Sequence, residues 1–457
     1  MLLDRRRFLL ALTGTAFAGL LGACTSTRQG QARAALRAYG GLVPDPEGLL
    51  DLPTGFRYRV ISSFGERMDD GFVAPDNFDG MGCFPLDADR VVLVRNHELK
   101  ADEQEAGPVR RGSHASVSSY DRNARGEVLP GGTTTLTFDL RSGRIEAQHL
   151  SLVGTIRNCA GGTTPWGSWL SCEEDVTRAG EGVGRDHGWV FEVPARTRGL
   201  VAPTPLTAMG RFNHEAAAVD PRTGIVYLTE DRDDSLLYRF LPNSKGDLVR
   251  GGRLQALALA EPGLVDSRNW NNGAGLPRGH WKATRWVDVD GVESPDDDLR
   301  LRGHAHGALL FARGEGIHFG DGEFYFCCTS GGAAQLGQIM RYKPSRFEGQ
   351  PEERSEPGQL QNFIESTDAS QLNFGDNLTV APNGHLLICE DQYTDTVTNH
   401  LRGITPSGEY YSFARLHAQT ELAGACFSPD GSTLFVNVFS PGKTLAITGP
   451  WTAFAGG

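Results

Sequence analysis

The feature that most constrains this sequence is a pattern that occurs six times along the chain. Each unit contains a polar group, a short apolar strand, a turn of Asp, Asn, Gly and Pro residues, a second apolar strand and another polar group. One unit runs from Asn213 to Asp231 and another from Gly375 to Asp391. The turn residues are those that tolerate positive φ in tight hairpins. Six hairpin units of this kind predict an all-β fold, a six-bladed β-propeller with loop insertions.

Length and charge narrow the classes of protein to which this chain can belong. Its 457 residues would ordinarily suggest two or three domains, but all-β folds often use a long chain as one unit. We therefore predict a single propeller domain over residues 43–457, with insertions such as residues 264–299 on one face. The formal net charge of −12 argues against a nucleic-acid-binding protein, which normally carries a basic surface.

The N-terminus is typical of an export signal. Arg5 and Arg6 precede an apolar stretch that is too short for a membrane-spanning helix. We predict a twin-arginine signal peptide over residues 1–23, although paired arginines also occur in ordinary secretory signals. Cys24 ends a lipobox-like sequence and is either acylated or a coincidental cysteine beside a cleavage site. Residues 24–42 are expected to be a flexible tether, and the protein to be exported to the periplasm or cell surface, with or without a lipid anchor.

The acidic ends of the repeat units are the strongest indication of chemistry. In a propeller the inner strands surround an axial channel, so equivalent strand ends converge on it. A single acid at a strand end commonly caps a turn, whereas a set at matching positions indicates a site. Adjacent carboxylates repel one another unless cations bind between them, and Ca²⁺ accepts about six to eight oxygen ligands. The expected set is Glu98, Cys159, Glu173 or Glu174, Glu215, Glu230, Glu315, Asp376, Glu390 and Glu421.

Two residues add a thiol and a guanidinium to this set. Cys159 lies in a polar, glycine-rich turn, and a thiolate among carboxylates indicates a softer metal such as zinc or iron. Arg313 precedes Glu315, and its guanidinium either binds an oxyanion such as phosphate or forms a salt bridge to a neighbouring acid. His97 and His214 each stand in an Asn-His-Glu triplet, where they are metal ligands, acid–base groups or backbone hydrogen-bond partners.

Longer motifs within the repeat are similar to those of a known family. The most specific is the block from Asn158 to Glu174, which includes Cys159 and ends in two glutamates. On these motifs the chain resembles the PhoX-like alkaline phosphatases, which are exported, metal-dependent β-propeller phosphatases. The matching stretches are residues 95–98, 158–174, 211–215, 227–231, 374–378, 427–431 and 446–451.

The resemblance implies a six-bladed propeller with an axial iron–calcium cluster. Its cofactors would be Ca²⁺ and Fe³⁺, and the thiolate of Cys159 would bind iron. The acidic ligands that it implies are Glu174 or its neighbour Glu173, Glu215, Glu230 and Glu315. The residues expected near the phosphoryl group, or near the metals around it, are Asn96, Glu98 and Arg313. Gly314 stands where family members have a proline.

The activity that follows is hydrolysis of phosphate monoesters. The expected substrate is a phosphorylated small molecule, with no nucleic-acid partner, and the expected oligomeric state is a monomer. One alternative is a calcium-dependent propeller that hydrolyses lactones or phosphotriesters, although such a site needs no thiolate. A second alternative is a non-catalytic binding propeller that metals only stabilise.

Overall fold

The regular secondary structure of the protein consists almost entirely of antiparallel strands in the residues that the structure describes. The computed structural model describes residues 39–109, 116–270 and 275–451. The proposed signal peptide, Cys24 and residues 25–38 of the expected tether lie outside the described residues. Within the described residues, no helix has the length and apolar character that crossing a bilayer requires. The seven cysteines of this part of the chain are all unpaired.

Three strands precede the repeat and three of its units follow along the chain. The first three strands are β1 (Leu42–Val43), β2 (Leu50–Pro53) and β3 (Arg57–Ser63). Unit 1 contains β4 (Phe78–Pro85), β5 (Arg90–His97), β6 (Gly131–Asp139) and β7 (Arg144–Thr155). Unit 2 contains β8 (Asn158–Thr163), β9 (Ser168–Glu173) and β10 (Val190–Pro194). Unit 3 contains β11 (His214–Val219), β12 (Val226–Glu230), β13 (Tyr238–Pro242) and β14 (Gly252–Leu259).

An insertion and three further units complete the chain. The insertion contains β15 (Trp281–Asp288) and the short helix α1 (Leu299–Ala305). Unit 4 contains β16 (Gly314–Gly320), β17 (Glu323–Cys328), β18 (Gln338–Lys343) and β19 (Gln359–Glu365). Unit 5 contains β20 (Gly375–Val380), β21 (Leu386–Glu390), β22 (His400–Ile404) and β23 (Tyr410–Leu416). Unit 6 contains β24 (Leu422–Phe427), β25 (Thr433–Val438) and β26 (Lys443–Thr448). Single 3₁₀ turns span Gln104–Ala106, Thr207–Met209, Leu248–Arg250 and Pro351–Arg354.

All six hairpins that the sequence predicts are present, but they do not form six separate sheets. The described strands form five sheets, because β15 pairs with β14 on one side and with β19 on the other. A strand at a sheet edge exposes unpaired backbone groups, and β15 covers the edges of units 3 and 4 at once. The all-β, propeller-like fold is therefore confirmed, whereas the division into six separate blades is not.

The first strand of each unit, which we call its inner strand, belongs to a closed ring. Each inner strand packs against the next in the order β4, β8, β11, β16, β20 and β24, and β24 packs back against β4. Glycines permit this close approach. A Cβ atom at Gly80 would lie 2.5 Å from Cα of Ala160, and one at Gly316 would lie 2.7 Å from Cα of Asn377. The ring thus encloses an axial channel, at one end of which the inner strands begin.

Residues from the beginning and the end of the described chain complete unit 6. The early strand β3 pairs with β26, so that it completes the sheet of unit 6. Tyr39 is buried against the edge of Phe56, with ring centroids 5.0 Å apart, and Trp451 stacks on Phe413 at 4.9 Å. Aromatic pairs of this kind contribute about 0.5–1.5 kcal/mol each beyond the area that they bury. Residues 39–42 are thus part of the folded domain, although the sequence assigned them to the tether.

Candidate metal centre

One end of the axial channel is lined by residues from the start of the inner strands. In units 1 to 5, the pairing of the inner strand with its neighbour is interrupted by a β-bulge directly after the first residue. A bulge re-aims a side chain that regular pairing would direct elsewhere. The first bulged residue in each of these units is an acid or a thiol. These residues, which we call the inner ring, are Asp79, Cys159, Glu215, Glu315 and Asp376.

Unit 6 departs from this arrangement. Its bulge lies between Ala423 and Cys426, and the residue that matches the inner ring is Gly424. Gly424 has a φ of +60°, and a Cβ atom there would lie 2.3 Å from the carbonyl oxygen of Asp79. A side chain cannot be accommodated at this position, so unit 6 contributes Glu421, which directly precedes β24, instead.

A second set of residues lies at the end of the neighbouring strands. In units 1 to 5, the residue that directly follows the second strand of the hairpin lines the same cavity. Successive side chains of a strand point to opposite faces, so this residue faces the axis whereas the last strand residue faces away. We call this set the outer ring, and it contains Glu98, Glu174, Asp231, Thr329 and Asp391.

The outer ring, Glu421 and the inner ring without Glu215 line a small, strongly acidic cavity of about 80 Å³. Arg157, Arg313 and Tyr393 complete its lining. Glu215 lies beside this cavity, with a carboxylate oxygen within 4.8 Å of ligand atoms of Cys159 and Glu315. Three clusters in and beside the cavity have the spacing of metal ligands, with the ligand atoms of each cluster within 4.8 Å of one another. The clusters are Asp79–Glu98–Cys159, Cys159–Glu174–Glu215 and Glu215–Glu315–Asp376. Because Cys159 and Glu215 are each shared between two clusters, the three form one continuous chain of ligands.

Burial of like charges perturbs the acids of this cavity. The pKa of Asp376 is raised to about 7, chiefly because burial desolvates its carboxylate and secondly because the charge of Asp391 is close. Desolvation and neighbouring carboxylates also hold the pKa values of Asp79, Glu215 and Glu315 well above the ordinary range. Without a cation, these groups keep protons that they would lose in water.

Three buried carboxylate oxygens in or beside the cavity have no hydrogen-bond partner in the described part of the chain. Both carboxylate oxygens of Glu215 and the Oδ1 atom of Asp79 lack a hydrogen bond among the described residues. An unsatisfied buried acceptor costs about 1–3 kcal/mol, and more when it is charged. Carboxylate oxygens beside the Cys159 thiol are suitable donors for metal cations, because a cation would satisfy these oxygens and cancel their repulsion. The residues present therefore fit a metal cluster.

Arg313 lies among the acids of both rings with left-handed backbone geometry, at a φ of +52°. Its Nε and Nη2 atoms donate to the two carboxylate oxygens of Asp231 at 2.7 and 2.8 Å. Nη2 also donates to Glu315 at 3.0 Å and lies 3.2 Å from the hydroxyl oxygen of Tyr393. Among the described residues, Nη1 has no hydrogen-bond partner. The guanidinium is thus fixed in position with one donor group to spare.

Arg157 is a second cation in the cavity, with a φ of +44°. Its Nε atom donates to Glu98 at 2.9 Å, its Nη1 atom to the carbonyl oxygen of Glu174 at 2.8 Å, and its Nη2 atom to the Glu174 carboxylate. Left-handed geometry is unfavourable for residues other than glycine, and it persists where surrounding contacts enforce it. Both arginines adopt it directly before an inner strand, and each pairs with the outer-ring acid of the preceding unit, Glu98 for Arg157 and Asp231 for Arg313.

Comparison with known proteins assigns the chain to a family. The sequence profile of the family described as alkaline phosphatase PhoX matches residues 37–147 and 137–442. The chain belongs to the PhoX family. Among solved structures, Pseudomonas fluorescens PhoX in complex with vanadate, a transition-state analogue, is 19% identical with a TM-score of 0.68. The alignment covers 88% of this chain and 96% of that one.

Other matches of this PhoX-family chain are more distant. A gluconolactonase from Xanthomonas campestris is 13% identical with a TM-score of 0.40, over 90% of this chain and 98% of that one. A putative 6-phosphogluconolactonase from Bacteroides uniformis is 12% identical with a TM-score of 0.34, over 79% and 89% of the two chains. Among curated proteins, no sequence matches.

Three acids that the sequence placed in the site of this PhoX-family chain point away from it. Glu173 accepts hydrogen bonds from the backbone N–H groups of Gly188 and Trp189 and contacts Nδ1 of His187. The other two acids have comparable surroundings: Glu230 accepts from Tyr238, and Glu390 is ion-paired to Arg402 and bonded to His400. The expectation for Glu173, Glu230 and Glu390 is thus corrected, because each is the last residue of its strand and faces the blade interior.

Asn96 also has a different position from the one expected. Its Nδ2 atom donates to the carbonyl oxygens of Cys159 and Ala160 at 3.1 and 2.6 Å. Its Oδ1 atom accepts from Nε1 of Trp169 and the hydroxyl of Ser171, both at 2.9 Å. The amide group of Asn96 is thus fully used, and Asn96 is not among the residues that line the cavity. It holds the backbone of the Cys159 bulge instead.

The two histidines of the Asn-His-Glu triplets are structural. His97 bonds the carbonyl oxygen of Asp76 and the hydroxyl of Thr134, and burial lowers its pKa well below the ordinary value. His214 donates from Nε2 to the carbonyl oxygen of Gly210 at 2.8 Å, and burial lowers its pKa to about 3. The sequence left three roles open for these histidines: metal ligand, acid–base group or hydrogen-bond partner of the backbone. The structure shows the third role for both.

Sequence reasoning missed several residues that line the cavity. Asp79 starts unit 1 as Cys159 starts unit 2, so the alignment of the repeats contained the signal for it. Asp231 and Asp391 directly follow Glu230 and Glu390, and only the strand register distinguishes them. The remaining cavity residues that were missed, for which the sequence offered no comparable signal, are Arg157, Thr329 and Tyr393.

Proposed function

We propose that this protein hydrolyses phosphate monoesters at a calcium- and iron-containing centre in the acidic cavity. The observation that carries the proposal is the arrangement of Cys159 and Glu215, each shared between two ligand clusters, beside the fixed guanidinium of Arg313. Membership of the PhoX family supports the same activity. Bound cations would also make an acidic cavity attractive to a phosphate dianion.

The donor atoms suggest how the metals would be distributed. Cys159 with Glu174 and Glu215 provides a mixed sulfur and oxygen set, which suits Fe³⁺. Glu215 with Glu315 and Asp376 provides oxygen atoms only, which suit Ca²⁺. When bound, such ions supply polarisation of the phosphoryl oxygens and an activated water nucleophile. Glu421 extends the oxygen set from unit 6.

The residues of the chain would position the substrate. Arg313 is held by Asp231 and Glu315, so its free Nη1 group can donate to a phosphoryl oxygen without a conformational change. Fixed donors of this kind stabilise the charge of the transferring phosphoryl group because no reorganisation accompanies the reaction. Arg157 would balance the negative charges of Glu98 and Glu174, with which it forms ion pairs. Asn96 would contribute indirectly, because it holds the backbone of Cys159.

A lactonase or phosphotriesterase with a single axial calcium would not require the buried thiol. Cys159 lies within 4.8 Å of ligand atoms in two clusters, which favours the phosphatase. The test is hydrolysis of p-nitrophenyl phosphate by purified protein before and after EGTA treatment. We expect turnover to be lost on chelation and restored by calcium. Absence of turnover in protein with its full complement of calcium and iron would favour a non-catalytic binding protein.

The expected route to the cell exterior is also part of the proposal. Twin-arginine export carries folded proteins, so the metals would be loaded in the cytoplasm before the protein reaches the periplasm or cell surface. Replacing Arg5 and Arg6 with lysine should retain the protein in the cytoplasm, whereas Cys24→Ala should release it from membranes if Cys24 carries a lipid. The proposed monomeric state is tested by light scattering of the mature protein.

A further inference from the structure

Tyr393 lies at the mouth of the acidic cavity with its ring turned to solvent. It follows β21 by three residues, and 60% of its surface is exposed. Single exposed apolar residues are common and need no explanation. Tyr393 differs because it is the one aromatic side chain among the described residues that line the cavity. It also differs because contacts hold its ring in place.

Three contacts fix the orientation of this ring. The hydroxyl oxygen accepts a hydrogen bond from Nη2 of Arg313 at 3.2 Å. The guanidinium carbon of Arg313 lies 5.2 Å from the ring centroid. Phe374 packs against the ring in a T-shaped arrangement, with centroids 5.4 Å apart. Because these contacts hold the ring, its exposed surface is presented to solvent without the entropy cost of ordering it on binding.

The size of the cavity determines where an ester substituent must lie. A volume of about 80 Å³ surrounded by carboxylates has room for a phosphoryl group but not for an organic leaving group as well. A phosphoryl group that contacts Arg313 would therefore direct its ester oxygen and substituent out of the mouth. Among the described residues that line the cavity, Tyr393 offers the one large apolar surface that is also exposed to solvent.

We propose that the ring of Tyr393 is the leaving-group subsite and favours phosphate monoesters of aromatic or heteroaromatic alcohols over alkyl esters. This inference rests on the proposed phosphatase function. Flat leaving groups stack on the ring, and pairs of this kind contribute about 0.5–1.5 kcal/mol, which corresponds to a preference of about two- to tenfold. The phenol group has a separate task, because it helps to hold Arg313 for every substrate.

The test compares kcat/KM for phenyl phosphate and glycerol 2-phosphate in wild type, Tyr393→Phe and Tyr393→Leu. Tyr393→Phe should lower both values by a similar factor, because it removes the hydroxyl contact with Arg313 and keeps the ring. Tyr393→Leu should in addition lower the ratio of phenyl to glycerol ester by about two- to tenfold. Phe64→Leu, which alters an aromatic residue outside the cavity that is 37% exposed, is the matched control and should change neither value.

The outcomes separate the subsite from the proposed function. An unchanged ester ratio in Tyr393→Leu, in protein with wild-type metal content and melting temperature, would overturn the subsite and leave the phosphatase intact. Hydrolysis of neither ester by metal-loaded wild type would instead overturn the proposed function, and the subsite with it. A lowered ratio in both Tyr393 variants would also contradict the proposal, because the aromatic ring remains in Tyr393→Phe.

Discussion

The thiol of Cys159 donates a hydrogen bond to Oδ2 of Asp79 over 3.5 Å, across the junction between the inner strands of units 1 and 2. Burial, and then the charge of Asp79, raises the pKa of this thiol well above its ordinary value. A thiolate cannot form beside Asp79 unless a cation is present to stabilise both charges. The pair therefore connects metal binding directly to the ionisation of Cys159.

Replacing Cys159 with serine should remove iron and activity while the fold remains. Substitution of residues that only hydrogen-bond a metal's ligands lowers metal affinity or activity by about 10- to 100-fold. Loss of a thiolate ligand itself should therefore lower turnover of p-nitrophenyl phosphate by about 100-fold or more. Iron per chain is measured by mass spectrometry of the purified protein. Cys83→Ser, at a partly exposed cysteine outside the cavity, is the control and should retain both properties. Full iron content and activity in Cys159→Ser would contradict this prediction.

Metal-free protein should become less stable as pH rises from about 5 to 7.5. The pKa of Asp376 is about 7 in the folded state against an ordinary value of 3.8, so the folded state retains a proton that the unfolded state has lost. The unfolding free energy therefore falls with rising pH, on the order of 1 kcal/mol per pH unit for each such group.

Urea unfolding in EGTA at several pH values tests the sign of this dependence. Asp376→Asn should reduce the slope because it removes one of the titrating groups, and calcium should raise the stability most at the higher pH values. A metal-free protein whose stability is constant or rises over this window would show that the carboxylates are not held protonated by burial.

Two adjacent acids in unit 5 should have opposite roles. Glu390→Gln removes the charge that pairs with Arg402 at 2.8 Å in a buried position, so it should destabilise the protein by about 3–5 kcal/mol. Its metal content per folded chain should be unchanged. Asp391→Asn is the matched comparison, because it lines the cavity and should weaken metal binding with little loss of stability. Calorimetry and metal analysis of the two variants would show the reverse pattern if Glu390 were the ligand.

This pair also illustrates what the sequence could and could not predict. The turns and the short apolar runs on either side of them were sufficient to locate all six hairpins, because these are local properties. They were not sufficient to decide which of two successive acids faces the axis, since a shift of one residue reverses every side chain. Glu230 and Asp231 present the same ambiguity.

Other parts of the site depend on contacts between distant segments. The bulges that turn Asp79 and Glu215 inwards arise from pairing between strands and have no local sequence signature. The fusion of units 3 and 4 depends on β15, which lies in an insertion that resembles a loop in sequence. Arg157 could not be identified as a cavity residue before Glu98 and Glu174 were placed on either side of it.

Replacing Arg313 with lysine should lower kcat/KM for p-nitrophenyl phosphate by about 10- to 100-fold. Lysine keeps the charge but loses the planar group that binds both oxygens of Asp231, so its position would no longer be fixed. In other enzymes, removal of one fixed hydrogen-bond donor to an oxyanion lowers kcat by about 100- to 1,000-fold. The positive charge that lysine retains should make the loss smaller here. The control is Arg90→Lys, at an exposed arginine whose Nε and Nη2 atoms both donate to Asp87. This variant should leave kcat/KM unchanged. An unaffected Arg313→Lys variant would exclude a role in substrate positioning.

Glu215 provides the most direct test of the metal centre, because it is shared between two ligand clusters and both of its buried oxygens lack a hydrogen bond from any residue that the structure describes. Glu215→Gln preserves its shape and removes its charge. The measurement is metal content per chain together with turnover of p-nitrophenyl phosphate, in wild type and variant purified after export from the same host. We predict that the variant remains folded, is at least as stable as wild type when both are metal-free, and loses bound metal and turnover together. A folded variant with wild-type metal content and wild-type turnover would contradict the assignment of this cavity as the catalytic metal centre.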